Sequence, residues 1–292
     1  MRHIFALSSL LVCLLGAPAM CADDAAALLK AIQSPETSDV DRANAFEKIG
    51  DIAGDDVAKP LASFLGDQKW SHYAHFALQK MEGQNVTETL VESLGTLQGD
   101  LKIGVIITIG RRQDPSAVEP LARLLADADA ETAESAAVAL GWIGTPAAAA
   151  ALTEAFRAEK NAARKASVGS ALLLAGQRLV KTGRAAEAVT VFDLLREAEL
   201  PTSCRIAATQ NAILARGAEG IDLMVEQLRS SDRRLFEVGL SVSRVLPGES
   251  ATKAVIDSLQ AESSPARQVL LILALKDRGD KLALPAVLAK LK

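Results

Sequence analysis

His72 and His75, three residues apart, are the residues of this chain whose type and spacing come nearest to a chemical site. They lie in KWSHYAHFAL (69–78) with Trp70, Tyr73 and Phe76, in a chain of 292 residues that is 3% aromatic and has three histidines. A spacing of three can bring two imidazoles to one face of a helix, which is how a metal site can begin. Such a site needs a third and a fourth ligand, and the sequence offers no convincing ones. Cys204 beside Arg205 is the other candidate, because a nearby cation lowers a thiol pKa. Its context favours a small buried residue at the start of a helix. No Ser/His/Asp set has a usable histidine outside 69–78, and no glycine loop would cradle a phosphate. The sequence therefore assigns no catalytic residue, cofactor-binding residue or metal ligand, and the expectation is a protein that is not an enzyme.

What positions these residues starts after a leader. Arg2 precedes an apolar stretch from Ile4 to Leu15, then small residues (GAPAMCA), then Asp23 and Asp24. That is the layout of a secretory signal over residues 1–22, with cleavage after Ala19, Cys21 or Ala22. It implies export to the periplasm or cell envelope, or secretion. No later segment is long and apolar enough to span a bilayer. Two of the three cysteines fall in the leader, so packing, not an internal disulfide, must hold the fold. The formal charge of −4 argues against general nucleic-acid binding, which needs a basic surface.

The body of the chain repeats. IGDIAGDDVAKPLASFLGD (49–67) and IGRRQDPSAVEPLARLLAD (109–127) share Ile, Gly, Pro, Leu, Ala, Leu and Asp at an offset of 60. Gly110, Pro115, Ala117 and Leu121 recur as Gly141, Pro146, Ala148 and Leu152 at an offset of 31. Each unit of about thirty residues reads as two helices: one apolar at helical spacing and ending near a glycine, then one opening after a polar or proline turn. Pro60 and Pro120 each precede a matched leucine. They fit the first turn of a second helix, where the missing N–H has no intrahelical partner anyway. Ile103, Val105, Ile106, Ile107 and Ile109 circle their helix, as stacking between neighbours requires. Eight pairs are expected, near 38–66, 69–95, 99–126, 129–157, 161–197, 202–229, 231–260 and 263–291. They form one continuous array over 23–292.

Asp114-Pro115, Ala117-Val118, Leu121, Leu124-Leu125 and then AAVALGWIGTPAA (136–148) resemble HEAT repeats, especially the bacterial kind named after phycobilisome-lyase HEAT-like proteins. The likeness covers nearly the whole chain after the leader. It implies an all-α fold, an α-α superhelix, and protein binding. Arg42 and Arg205 look like the family's first-helix arginine, and several units lack one. The fifth unit is longer and resembles a tetratricopeptide repeat, with Gly183, Ala186, Ala188 and Phe192 at suitable spacing. HEAT-like hydroxylases hold iron through His-Glu pairs on successive units, and no such pair occurs here.

Repeat register then places the opening stretch. Leu78 aligns with Ile109 and Leu140, and His75 with the core-facing Ile106 and Ala137. The aromatics of 69–78 are accordingly read as mostly core, with Phe76 on the side that meets a neighbouring unit. His75 is read as a hydrogen-bonded interior histidine. Leu78, Leu140, Gly110, Gly141, Pro60 and Pro120 join it as structural positions. Trp142 is either an exposed anchor for a partner or a seal between hairpins.

Charge supplies the functional expectation. Residues 23–100 hold 14 acids against 6 Lys and Arg, whereas 157–184 hold Arg157, Lys160, Arg164, Lys165, Arg178, Lys181 and Arg184 against Glu159 alone. Such a cluster is a solvated face or a recognition patch for an acidic partner. The chain is thus expected to be an exported, non-enzymatic scaffold that binds a protein or peptide and takes no cofactor. The alternative is a lyase-like or metal- or pigment-handling accessory protein that uses His72 and His75.

Overall fold

The computed structural model describes the backbone of residues 17–290 and the side chains from Asp24 to Lys290. Most of the expected leader, residues 1–16, lies outside the described residues. Among the described residues every regular element is helical. Helix α1 (Ala17–Gln33) is followed by eight pairs. These are α2 (Asp39–Ile52) with α3 (Ala58–Ala62), α4 (Ser71–Lys80) with α5 (Gln84–Ser93), and α6 (Gly99–Arg112) with α7 (Val118–Leu124). Next come α8 (Ala130–Ile143) with α9 (Pro146–Ala158), α10 (Ala162–Lys181) with α11 (Ala185–Glu197), and α12 (Thr202–Arg216) with α13 (Ile221–Arg229). The last are α14 (Arg233–Val245) with α15 (Glu249–Ala261) and α16 (Pro265–Arg278) with α17 (Leu284–Lys290). The eight pairs are those read from the repeat. Helix α1 was not anticipated: Ala25 and Ile32 are buried as it packs on α2.

Polar residues set the corners. The side chains of Ser38, Asp114, Asp129, Thr145, Asn161, Asp232 and Asp280 each accept a hydrogen bond from a backbone N–H one turn on, satisfying a donor the helix leaves free. Pro60 and Pro120 stand in the first turn of α3 and α7, each after a short 3-10 turn, where the sequence placed them.

The chain packs as two compact units, one ending at Arg112 and one beginning at Gln113. The continuous array expected from sequence therefore divides between α6 and α7. In the first unit Phe46, Ile49, Leu61, Leu78, Ile106 and Ile109 are fully buried. In the second, Leu121, Leu140, Leu172, Phe192, Ile213 and Leu259 are. First helices stack on first helices: α2 on α4 on α6, then α8 on α10 on α12 on α14 on α16. Two glycines let neighbouring first helices approach closely. A Cβ at Gly50 would stand 3.0 Å from the Ala77 backbone, and one at Gly141 would stand 2.8 Å from the Ala171 carbonyl oxygen. Gly110 is buried at the matching place in α6.

Candidate partner-binding surfaces

The 69–78 stretch splits between core and surface. The backbone N–H groups of Lys69 and Trp70 donate to the Asp67 carboxylate at 2.8 and 3.0 Å, which builds the turn into α4. Trp70 is buried and stacks on Phe46 at 6.1 Å, and Phe64 meets the Phe46 ring edge-on at 5.4 Å. The Arg42 guanidinium and the Lys69 ammonium each lie 5.0 Å from the Trp70 ring. Tyr73 and Phe76, however, are 37% and 44% exposed. This corrects the core reading for those two residues. Tyr73 still keeps one face on the cluster, 6.2 Å from Phe46 and 5.6 Å from Trp70, whereas the Phe76 ring is covered by the Lys80 ammonium at 4.8 Å.

His75 occupies a place between α4 and α6 and is half-buried, less enclosed than the fully buried Ile106 one unit on. Its Nδ1 is 2.9 Å from the Thr108 hydroxyl, which donates to the Gly104 carbonyl oxygen at 2.9 Å. The Thr108 hydroxyl thus joins the imidazole to the backbone of α6. Gly104 makes the room: a Cβ on it would stand 2.7 Å from the His75 Nε2. Burial, with a smaller effect from His72, pushes the His75 pKa down to about 4. His72 is exposed and packs edge-on against Tyr73 at 5.9 Å. The two imidazoles thus have different neighbours. Among the described residues, no three His, Cys, Asp or Glu side chains converge as metal ligands would.

The basic cluster does not form one patch. Helix α10 has 20 residues and is about 30 Å long, so its two ends are far apart. At its far end Arg178 is a structural residue. Its stem covers Gly144, where a Cβ would meet it at 2.3 Å, and its guanidinium donates to the Gln113 side-chain oxygen. Gln113 holds a left-handed φ of 57°, which that bond helps to fix. Arg184 pairs with Glu187 at 3.1 Å, and Lys181 is exposed. At the near end Arg157, Lys160 and Arg164 are exposed, and the Lys165 ammonium lies 5.1 Å from the Phe156 ring.

That near end is electrostatically unusual. Asn161 caps α10, accepting from the N–H groups of Ala163 and Arg164 at 3.0 and 3.1 Å. A helix N-terminus carries positive partial charge and favours anions, yet Lys160, Arg164 and Lys165 surround this one. Glu159, the acid between them in sequence, accepts from the Asn161 N–H at 2.7 Å. Four cations therefore share a corner with one carboxylate, three of them against a helix dipole of their own sign and the fourth, Arg157, in the last turn of α9. Trp142, in the last turn of α8, is half-buried, between the two roles the sequence left open for it. Cys204 is half-buried at the start of α12, and burial pushes its thiol pKa up. That is the opposite of activation.

The sequence reading missed a pair of arginines that tie hairpins together. Arg112, at the end of α6, donates to the carbonyl oxygens of Leu78 (2.7 Å), Met81 and Gly83 (3.1 Å) and to the Thr87 hydroxyl (3.2 Å). Arg278, at the end of α16, donates to those of Ser243, Leu246 (2.7 Å) and Gly248 (3.0 Å) and to the Thr252 hydroxyl (3.0 Å). A signal was present: GQNVT (83–87) is answered by RQD (112–114), and GESAT (248–252) by RGD (278–280).

The chain is similar in fold to human deoxyhypusine hydroxylase, at 18% identity over 83% of this chain and 92% of that one, with a TM-score of 0.41. It is also similar to an engineered protein, at 18% identity over 91% and 81%, with a TM-score of 0.40. A third is the CpcE–CpcF complex of phycocyanin lyase from Nostoc sp. PCC7120, at 16% identity over 87% and 94%, with a TM-score of 0.34. Likeness of this degree carries no activity across to this chain. No curated protein matches the sequence significantly. The family whose pattern does match is that of HEAT repeats, over residues 87–173, so the stretch from α5 into α10 carries HEAT repeats.

Proposed function

We propose that this protein is a non-enzymatic scaffold, exported to the cell envelope, that holds an acidic segment of a protein partner at the α9–α10 corner. The observation that carries this reading is the corner itself. Lys160, Arg164 and Lys165 stand around a helix start whose dipole repels them, Arg157 adds a fourth cation from the last turn of α9, and among the described residues none of the four is ion-paired. Like charges gathered against a dipole cost folding free energy, and that cost is recovered when an anionic partner binds. The corner opens the longer α10–α11 pair, which is tetratricopeptide-like in sequence. Arg178 and Arg184, engaged with Gln113 and Glu187, are not part of it.

The test is fluorescence anisotropy with a labelled oligoglutamate peptide and the full chain. Binding should weaken as salt rises, because exposed charges are screened over about 8–10 Å near physiological ionic strength. Replacing Arg157, Lys160, Arg164 and Lys165 with Gln should remove it while helicity is unchanged. Replacing Lys181 and Arg184 should not. Binding that survives the fourfold change would sink the reading.

A further inference from the structure

We propose that the groove between α3 and α5 receives the α9–α10 corner of a second copy of this chain. This rests on the reading of that corner as an anion-binding surface, and it names the partner. The groove is lined by the carboxylates of Asp55, Asp56, Glu88 and Glu92 around Lys59 alone. Its volume of about 280 Å³ admits the ends of basic side chains but not a helix about 10 Å across. Lys59 lies 3.5 Å from Glu92, and the two side chains are 73% and 65% exposed, so little holds that pair together. Glu88 accepts from the Gln84 side-chain amide at 3.1 Å. Among the described residues Asp55, Asp56 and Glu88 have no cation at ion-pairing distance.

A buried hydroxyl points to the same kind of occupant. Thr89 of α5 lines this groove and is 4% exposed. In their own helices Thr108, Thr153, Thr190 and Thr209 each donate to the carbonyl oxygen four residues back. Thr89 does not, and among the described residues its hydroxyl has no partner. An unmet buried hydroxyl costs free energy, and beside carboxylates it is best completed by a cationic N–H donor. The chain itself carries such donors. Lys160 and Arg164 are exposed at the α9–α10 corner, and among the described residues neither has an ion-pair partner. Each copy therefore offers one unmet acidic groove and one unmet basic corner. A contact between these unlike surfaces closes into a two-fold dimer or a ring, or runs on as an open chain.

The experiment is sedimentation velocity on the full chain at low salt. The mass should rise above the monomer with concentration and fall back as salt screens the contact. Lys160→Glu with Arg164→Glu, and separately Asp56→Lys with Glu88→Lys, should each weaken association about tenfold or more. All four residues are exposed, so circular dichroism should show both variants folded. Mixing the two variants should restore association, because each then meets the opposite charge. Thr89→Val should weaken it severalfold through loss of the hydroxyl. Oligoglutamate should dissociate the assembly, since it competes for the corner. A chain that stays monomeric but still binds oligoglutamate overturns this inference and leaves the reading of the corner standing. Oligoglutamate binding that survives loss of the corner's charge sinks both. Association that survives either reversal, or variants that stay apart when mixed, overturns the inference as well. A monomer that binds labelled oligolysine through Asp56 and Glu88 would assign the groove to a basic segment of another protein, which also overturns it.

Discussion

Arg112 and Arg278 perform the same act at two distant corners of the chain: each reaches back to the preceding hairpin and takes its first-helix C-terminal carbonyls and a buried threonine hydroxyl as acceptors. The last carbonyls of a helix have no intrahelical donor, so each guanidinium caps one helix while fastening the next to it. Arg278 is partly desolvated, which lowers its pKa, but a guanidinium remains charged at any ordinary pH.

Arg112→Met should therefore cost about 2–3 kcal/mol, from several charge-assisted hydrogen bonds lost at a half-exposed site. Arg112→Lys should recover only part of this, because an ammonium lacks the fork that reaches carbonyls and hydroxyl together. Urea unfolding measures both. A loss under about 0.5 kcal/mol for the methionine variant would mean that the clamp is decorative.

His75 and Gly104 should show coupling. Glycine to alanine in a helix interior gains about 1 kcal/mol unless the new methyl meets something. At Gly104 it would meet the His75 ring, which Thr108 holds in place. Gly104→Ala should thus fail to stabilise the native protein but should stabilise the His75→Ala variant. Equal effects in the two backgrounds would show that the ring moves aside freely.

The same ring makes stability depend on pH. Its folded pKa of about 4 lies below the ordinary 6.5, so the unfolded chain binds more protons between those values. Stability from this group should fall as pH drops from 6.5 toward 4 and change no further below that. Solvent at the half-exposed ring trims the full linkage value, leaving a loss on the order of 1 kcal/mol. Denaturant midpoints of native protein and His75→Ala across this range should converge at low pH. Parallel curves would remove His75 as the cause.

Leu140 is fully buried at a repeated core position, and Leu140→Ala should cost about 2–5 kcal/mol. Calorimetry or urea unfolding would show it, and a cost below about 1 kcal/mol would contradict the core assignment.

Cys204 should react slowly with a disulfide reagent at neutral pH, because burial disfavours its thiolate. Addition of denaturant should accelerate the reaction. Native-state labelling at the rate of a free cysteine would show that the thiol is open.

Much of this protein was legible in its sequence, because the information was local and repeated. The helix pairs, the prolines that open α3 and α7 and the buried row of Leu78, Ile109 and Leu140 follow from spacing that any one unit shows by itself. Periodicity says which side of a helix is apolar. It does not say which neighbour covers that side. Phe76 is exposed and Tyr73 is covered on one face only, by Phe46 and Trp70, and Arg178 is structural because Gly144 and Gln113, distant in sequence, lie beneath it. The seven basic residues of 157–184 read as one cluster until α10 carried them to opposite ends of 20 helical residues. Helical spacing is written within a few turns of chain, whereas exposure and pairing depend on residues thirty or more positions away, and those only the tertiary structure brought together.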